Sequence, residues 1–339
     1  MKVSKMPGFG SFGAVVDDFE WDQPQAYEEL RELNIKSLVT VVRGGGVDNF
    51  QHLVNNSNGL LTRRPGKFAL KYNTRNFRNL LTDQDKAFAS KHMNTVLGPE
   101  FPGWHRVTGK VNTDNQPIGI FGDTELDWHS NEFMSYDFAP LVLLYGSADM
   151  VGSATSFIQT ADWYDRQTDS FKSELDELIS LCDFDPRKVI PNGRPVDLEL
   201  VTITNPNDKN FRKPLILDSI GGHRGINYSH FITGFEGMSK ADSDKIISKI
   251  RSELIDAGTE YDYWWENDTG DLLVFDNTIC VHMRKLRDDI NMVEKLHKRV
   301  GHRLTGDYTN HVDWNGFIQQ EFKDYRQATI NKLLDPNLK

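Results

Sequence analysis

Four side chains stand close together in the stretch "LDWHSNEF" (Leu126–Phe133): His129, Ser130, Asn131 and Glu132. A second histidine, His282, follows the apolar run "LLVFDNTICV". An imidazole emerging from such a strand needs a partner, because burying it unpaired is costly. Two imidazoles and one carboxylate on a common face form the donor set of iron(II) sites that keep three positions open. One histidine and the carboxylate sit close in sequence in such sites, and the second histidine comes from a distant strand. Asn131, two places after His129, is not a carboxylate, and Glu132 comes one place late. Further on, "KRVGHRLTGD" places Arg299 and Arg303 four apart, an even spacing that puts both on one face of a strand. A planar guanidinium suits a bidentate grip on a carboxylate.

The elements that must hold these residues are legible as strands and helices. Residues Asp22–Leu33 carry a helical pattern, and "KSLVTVVR" (Lys36–Arg43) reads as a buried strand. "TDQDKAFASKHMNTVLG" opens on Thr82, stops at Gly98 and reads as a helix. From residue 117 short strands dominate: "PIGIFG", "LDWHS", "PLVLLYG" and "SATSFIQ". A charged helical segment lies between Trp163 and Cys182, and "VDLELVTIT" and "PLILDSI" read as strands. "SKADSDKIISKIRSELIDAG" is a capped helix with Gly258 as its stop. "YDYWWEND", "GDLLVFDN" and "TICVHMR" read as adjacent strands. The tail from Trp314 to Leu334 reads as a helix. This is an α+β pattern, without a regular βαβ alternation.

Composition narrows the function classes. A net charge of -10 argues against a nucleic-acid partner, which needs dense Lys and Arg. No apolar run approaches the roughly 18–20 residues of a membrane span, and "MKVSKMPGFG" has no apolar signal core. Cys182 and Cys280 cannot build a disulfide framework in 339 residues and read as core fillers. We expect a cytoplasmic, reduced protein, either monomer or homo-oligomer.

Five segments, in order, resemble the taurine dioxygenase family of iron(II)- and 2-oxoglutarate-dependent oxygenases. They are "FGAVVDDF" leading to "KSLVTVVRG", then "DWHSNEF", "VGSATSF", "GGHRGINYSHFITGFEGMSKADSD", and "WWENDTGDLLVFDNTICVH" with "RVGHRLTGD". The last is the most specific; together they span about residues 12–307. The resemblance implies a double-stranded β-helix (jelly-roll) core with flanking helices. It divides a single oxygenase domain, 1–339, into an N-terminal part (1–114), the core with helical insertions (115–310) and a C-terminal helix (311–339). It implies iron(II), 2-oxoglutarate as cosubstrate and O2, with hydroxylation of a small molecule and release of succinate and CO2.

By the same resemblance His129 and His282 match the iron histidines. Thr155 matches a threonine whose hydroxyl contacts a 2-oxoglutarate carboxylate. Arg299 matches the arginine that clamps its distal carboxylate. Arg303 matches a second arginine that supports the cosubstrate or an anionic substrate. Asp276 and Asn277 shape the strand that carries His282. Three readings stand for the third metal position: the amide oxygen of Asn131, the carboxylate of Glu132, or an anion in place of either. The third reading makes a halogenase the alternative enzyme. A non-catalytic barrel that binds 2-oxoglutarate or a metabolite is the alternative outside catalysis. Arg303, Tyr228–Phe235 and Glu132–Phe138 are the candidate substrate contacts.

Overall fold

Central strands can be apolar on both sides only if both faces of their sheet are covered, and two such runs organise this protein. In the computed structural model the described residues are 1–44, 49–63, 104–109, 126–131, 140–183, 210–265, 270–286 and 298–308. They form, in order, β1 (Lys2–Lys5), β2 (Ala14–Asp17), α1 (Pro24–Ser37), β3 (Val39–Val42), α2 (Phe50–Leu60), β4 (Thr62–Arg63), β5 (His105–Val107) and β6 (Leu126–His129). There follow β7 (Leu141–Ala148), β8 (Ser153–Gln159), α3 (Ala161–Asp165), α4 (Asp169–Asp176), β9 (Ile179–Asp183), β10 (Asn210–Pro214), β11 (Ile216–Asp218), β12 (Arg224–Ile226) and β13 (Ile232–Phe235). The last are α5 (Lys240–Ile250) with a π-helical turn (Arg251–Ile255), β14 (Tyr261–Trp264), β15 (Leu272–Asp276), β16 (Cys280–Leu286) and β17 (Val300–Asp307).

The large sheet runs β1-β2-β3-β15-β7-β17-β4, with β5 also on β17. The small sheet runs β14-β8-β16-β6. Among the described pairs only β2 and β3 run parallel, joined through α1. Alternation along β15 shows how the layers stack. Leu273 and Phe275 point inward against Phe157 and Tyr263 of the small sheet. Leu272 and Val274 point outward against Tyr27, Leu30, Leu53 and Leu60 of α1 and α2. Phe157 and Phe275 meet across the interface with ring centroids 5.0 Å apart. The outer face of the small sheet (Trp128, Ile158, Val281) is covered by Leu215, Ile226, Phe235, Ile246 and Ile250. Burying large side chains such as these stabilises the fold by about 1.5–3 kcal/mol each before entropy is set against it.

Several sequence expectations shift by a few residues for identifiable reasons. Helix α1 starts at Pro24, where the fixed φ of proline suits the first helical position, and runs on to Ser37. The capped helix begins where expected: Ser239 accepts the Asp242 N–H at 3.2 Å. It passes into the π-helical turn after Ile250 before the chain reverses at Gly258, whose φ is +68°. "PLILDSI" breaks into the end of β10 and β11.

The larger correction concerns "YDYWWEND", "GDLLVFDN" and "TICVHMR", which are not neighbours. Strand β15 joins the large sheet, while β14 and β16 belong to the small one with β8 between them. The chain crosses between sheets at the corner Asp276–Ile279. There the Asp276 carboxylate accepts the N–H groups of Thr278 and Ile279 at 2.7 and 3.0 Å. The expected helices at 82–98 and 311–339, the strands "PIGIFG" and "VDLELVTIT", and Glu132–Phe138 lie outside the described residues.

Candidate functional site

Strand β6 is too short to hold its last residue by ladder bonds alone, and neighbouring segments complete the job. His129 stands directly opposite His282 of β16, with ring centroids 4.4 Å apart. On its other side the chain 128–130 is bound to 228–230: Ser130 N–H donates to Tyr228 O at 3.0 Å, and His230 N–H to Trp128 O at 3.2 Å. His129 Nδ1 lies 2.6 Å from the Asp127 carbonyl, which can only accept, so Nδ1 carries the proton and Nε2 keeps its lone pair. Burial holds the His129 imidazole down at about 4, with the Asp127 carbonyl opposing and His230, Arg303 and Arg284 reinforcing the shift. Burial, then His129 and Arg303, push His282 well below the usual histidine range. Both rings are therefore neutral at pH 7, the state in which imidazole binds a metal.

Asn131 follows as the chain leaves β6. Its backbone N–H donates to Asn277 Oδ1 at 2.7 Å, and its carbonyl accepts from Asn277 Nδ2 at 2.8 Å. Its own side-chain oxygen accepts from Arg303 Nη1 at 3.2 Å. Among the described residues no three His, Cys, Asp or Glu side chains stand together.

One cavity gathers the rest: His129, Asn131, Thr155, His282, Arg299 and Arg303 all line it. Thr155 on β8 accepts the indole N–H of Trp265 at 3.0 Å. That leaves its hydroxyl hydrogen to donate elsewhere. Trp265 in turn lies on Gly146, where a Cβ would come within 2.6 Å of the ring. Arg299, just ahead of β17, is 3% exposed, and its Nε and Nη2 have no hydrogen-bond partner among the described residues. Burial alone lowers its guanidinium to about 10. An orphaned buried guanidinium is costly, and a bound anion would relieve it.

The structure brings Thr155, both histidines and both arginines to this one cavity. Residues Tyr228 and Phe235 are not on the cavity wall but in the cluster behind the small sheet. Phe235 belongs to β13 of a separate three-stranded sheet and Tyr228 to the segment before it, both packed on the far side of the small sheet. Two contributors escaped the sequence reading. Arg284, buried, lines the cavity from the same strand as His282. Its signal was the spacing His-x-Arg, which places both on one strand face. Trp265 had no local signal, because its partner Thr155 is a strand away. Cys182 and Cys280 are buried free thiols, each raised by desolvation, as core fillers should be.

Residues 3–300 match the family model described as "Taurine catabolism dioxygenase TauD, TfdA family". No curated protein matches the chain. Among solved structures, AAD-2 in complex with Mn(II) and N-oxalylglycine superposes with a TM-score of 0.63 at 15% identity, covering 94% of this chain and 100% of that one. A taurine dioxygenase from Burkholderia xenovorans gives a TM-score of 0.59 at 15% identity, covering 90% and 89%. At such identities these likenesses speak for the fold. No helix among the described residues is long and apolar enough to cross a membrane.

Proposed function

We propose, from the premise that the chain belongs to the taurine catabolism dioxygenase TauD, TfdA family, that it hydroxylates a small molecule as an iron(II)- and 2-oxoglutarate-dependent dioxygenase, releasing succinate and CO2. The cofactors of this family are iron(II), 2-oxoglutarate and O2. The observation that carries the reading is a single cavity with two neutral imidazoles on one wall and the orphaned Arg299 guanidinium on another. The imidazoles suit a divalent metal, and the guanidinium calls for a carboxylate, so these residues fit the family's cofactors at both ends.

In this reading His129 and His282 hold the iron, and the third position falls to Asn131, to Glu132 or to an anion in place of either. Arg299 takes the distal carboxylate of 2-oxoglutarate, Thr155 donates its hydroxyl hydrogen to it, and Arg303 supports the site from β17. Iron with 2-oxoglutarate and O2 supplies the oxidising power, and the chain positions substrate and excludes water. Val142, Leu144, Phe275 and Trp265 give the cavity its apolar wall. We read the two facing sheets as the halves of a double-stranded β-helix within one oxygenase domain, working in a reducing compartment.

Aerobic turnover of 2-oxoglutarate to succinate with added iron(II), across a panel of small acids and amino acids, tests the proposal. No succinate together with no iron uptake would sink it. Affinity for 2-oxoglutarate without iron uptake would favour the non-catalytic binding module instead.

A further inference from the structure

We infer that Trp265 and Tyr263 form an electron relay leading out of the cavity, with Asp271 as its proton acceptor, which quenches oxidant generated there when no substrate is present to consume it. The inference rests on the functional reading above and adds a protective activity to the same site.

A stripe of rings carries it. Tyr261, Tyr263 and Trp265 stand two apart in "YDYWW", so they share one face of β14 and its continuation. Trp265 is the inner end: it lines the cavity, and its indole N–H is held by Thr155 at 3.0 Å. Tyr263 meets it edge to face, with ring centroids 5.1 Å apart and planes at 89°. Tyr261, half-buried, comes next, against Phe9 at 6.1 Å between centroids. Indole and phenol rings give up one electron far more readily than the side chains of Val142, Leu144 and Phe275 on the same cavity wall.

Packing alone does not account for Asp271. It is 4% exposed, and both its oxygens accept: Oδ1 from the Gly44 N–H at 2.7 Å and Oδ2 from the Tyr263 hydroxyl. Burying a carboxylate is costly, and a phenyl ring at position 263 would pack without one. What the pair supplies is a destination for a proton. Burial, then Asp271, pushes the Tyr263 hydroxyl far above the usual phenol range, so it stays protonated at rest. A phenol that loses an electron becomes a strong acid, and its acceptor is already in place. The step balances. One electron passes from Tyr263 through Trp265 to the oxidant generated from iron(II), 2-oxoglutarate and O2, the phenol proton moves to Asp271, and a neutral tyrosine radical remains. A reductant of the ascorbate class returns the electron, and Asp271 returns the proton.

The test mixes the intact protein, loaded with iron(II) and saturating 2-oxoglutarate, with O2 in the absence of substrate, and reads the frozen mixture by electron paramagnetic resonance. The wild type should show an organic radical whose signal narrows when the protein is grown on ring-deuterated tyrosine, and which forms more slowly in D2O. Tyr263→Phe should take up iron(II) and 2-oxoglutarate as the wild type does and lose the tyrosine signal, with added oxygen appearing on Trp265 in its peptide map. Trp265→Phe and Asp271→Asn should lose the tyrosine signal too. A wild type that consumes 2-oxoglutarate and gives no radical overturns the inference alone, as does a radical that persists unchanged in Tyr263→Phe or Trp265→Phe. A full tyrosine signal in Asp271→Asn overturns it as well. A wild type that takes up no iron(II) and forms no succinate overturns the functional reading, and this inference with it.

Discussion

The side-chain amide of Asn277 clamps the backbone of Asn131 from both ends, accepting its N–H at 2.7 Å and donating to its carbonyl at 2.8 Å. Both groups are buried. Asn277 sits at the corner where the chain leaves β15 for the strand of His282, so one residue couples the two ends of the candidate metal site. Removing it strands two buried backbone groups. Asn277→Ala should cost about 2–3 kcal/mol of stability and weaken Co(II) binding at least about tenfold. Urea unfolding and metal titration measure the two effects. Asn277→Asp keeps the acceptor and loses the donor, so it should fall between wild type and Ala.

Arg299 sets stability against binding. With no partner for Nε and Nη2 among the described residues, the buried charge is a burden to the unliganded fold. Arg299→Met should therefore raise the unfolding free energy of the ligand-free protein by about 1–3 kcal/mol. The same change should weaken N-oxalylglycine binding by about a hundredfold or more, which is the ~3 kcal/mol of a lost charged pair. Urea unfolding of the ligand-free protein checks the first half and titration calorimetry with that ligand the second.

Trp265 orients Thr155 through the 3.0 Å indole hydrogen bond. Trp265→Phe keeps the ring packing on Gly146 and deletes the donor. The expected result is a rise in KM for 2-oxoglutarate of about fivefold to tenfold, worth ~1 kcal/mol for one hydrogen bond, with kcat little changed. Gly146→Ala should do more harm. A Cβ 2.6 Å from the indole forces the ring to shift, at about 1–3 kcal/mol of stability.

Acid should weaken the metal-free protein through its histidines. An unfolded histidine titrates near 6.5, whereas His129 in the fold holds out to about 4. Between those values the unfolded chain binds more protons, so stability is full above about pH 6.5 and falls as pH drops toward 4, by up to about 3 kcal/mol from this group. Asp276 pulls the other way. Burial raises it to about 6, so it favours the fold below its unfolded value near 4 and loses that advantage as pH rises through 6. Urea midpoints at pH 5 and 7 should show a steeper acid loss in Asp276→Asn and a flatter one in His129→Gln.

Much of this molecule was legible in its residues. The apolar runs at Leu141–Tyr145 and Leu272–Phe275 read as strands covered on both faces, because they are of strand length and bounded by turn residues. Ser239 and Gly258 mark helix and turn boundaries by local backbone preference. The histidines, Thr155 and the arginines stand out by type and order, and the fold brings them to one cavity.

Tertiary structure decided what depends on partners far along the chain. Strands β14, β15 and β16 are consecutive in sequence yet divided between two sheets, since pairing follows which face each strand can bury and not which strand comes next. The sequence shows Asn131 where a carboxylate was expected and cannot say which way its amide turns. That choice belongs to Arg303, 3.2 Å from the amide oxygen, and to Asn277, which holds the backbone beneath it. A side-chain amide has an acceptor at one limb and donors at the other, so only its neighbours in space determine which limb meets the cavity.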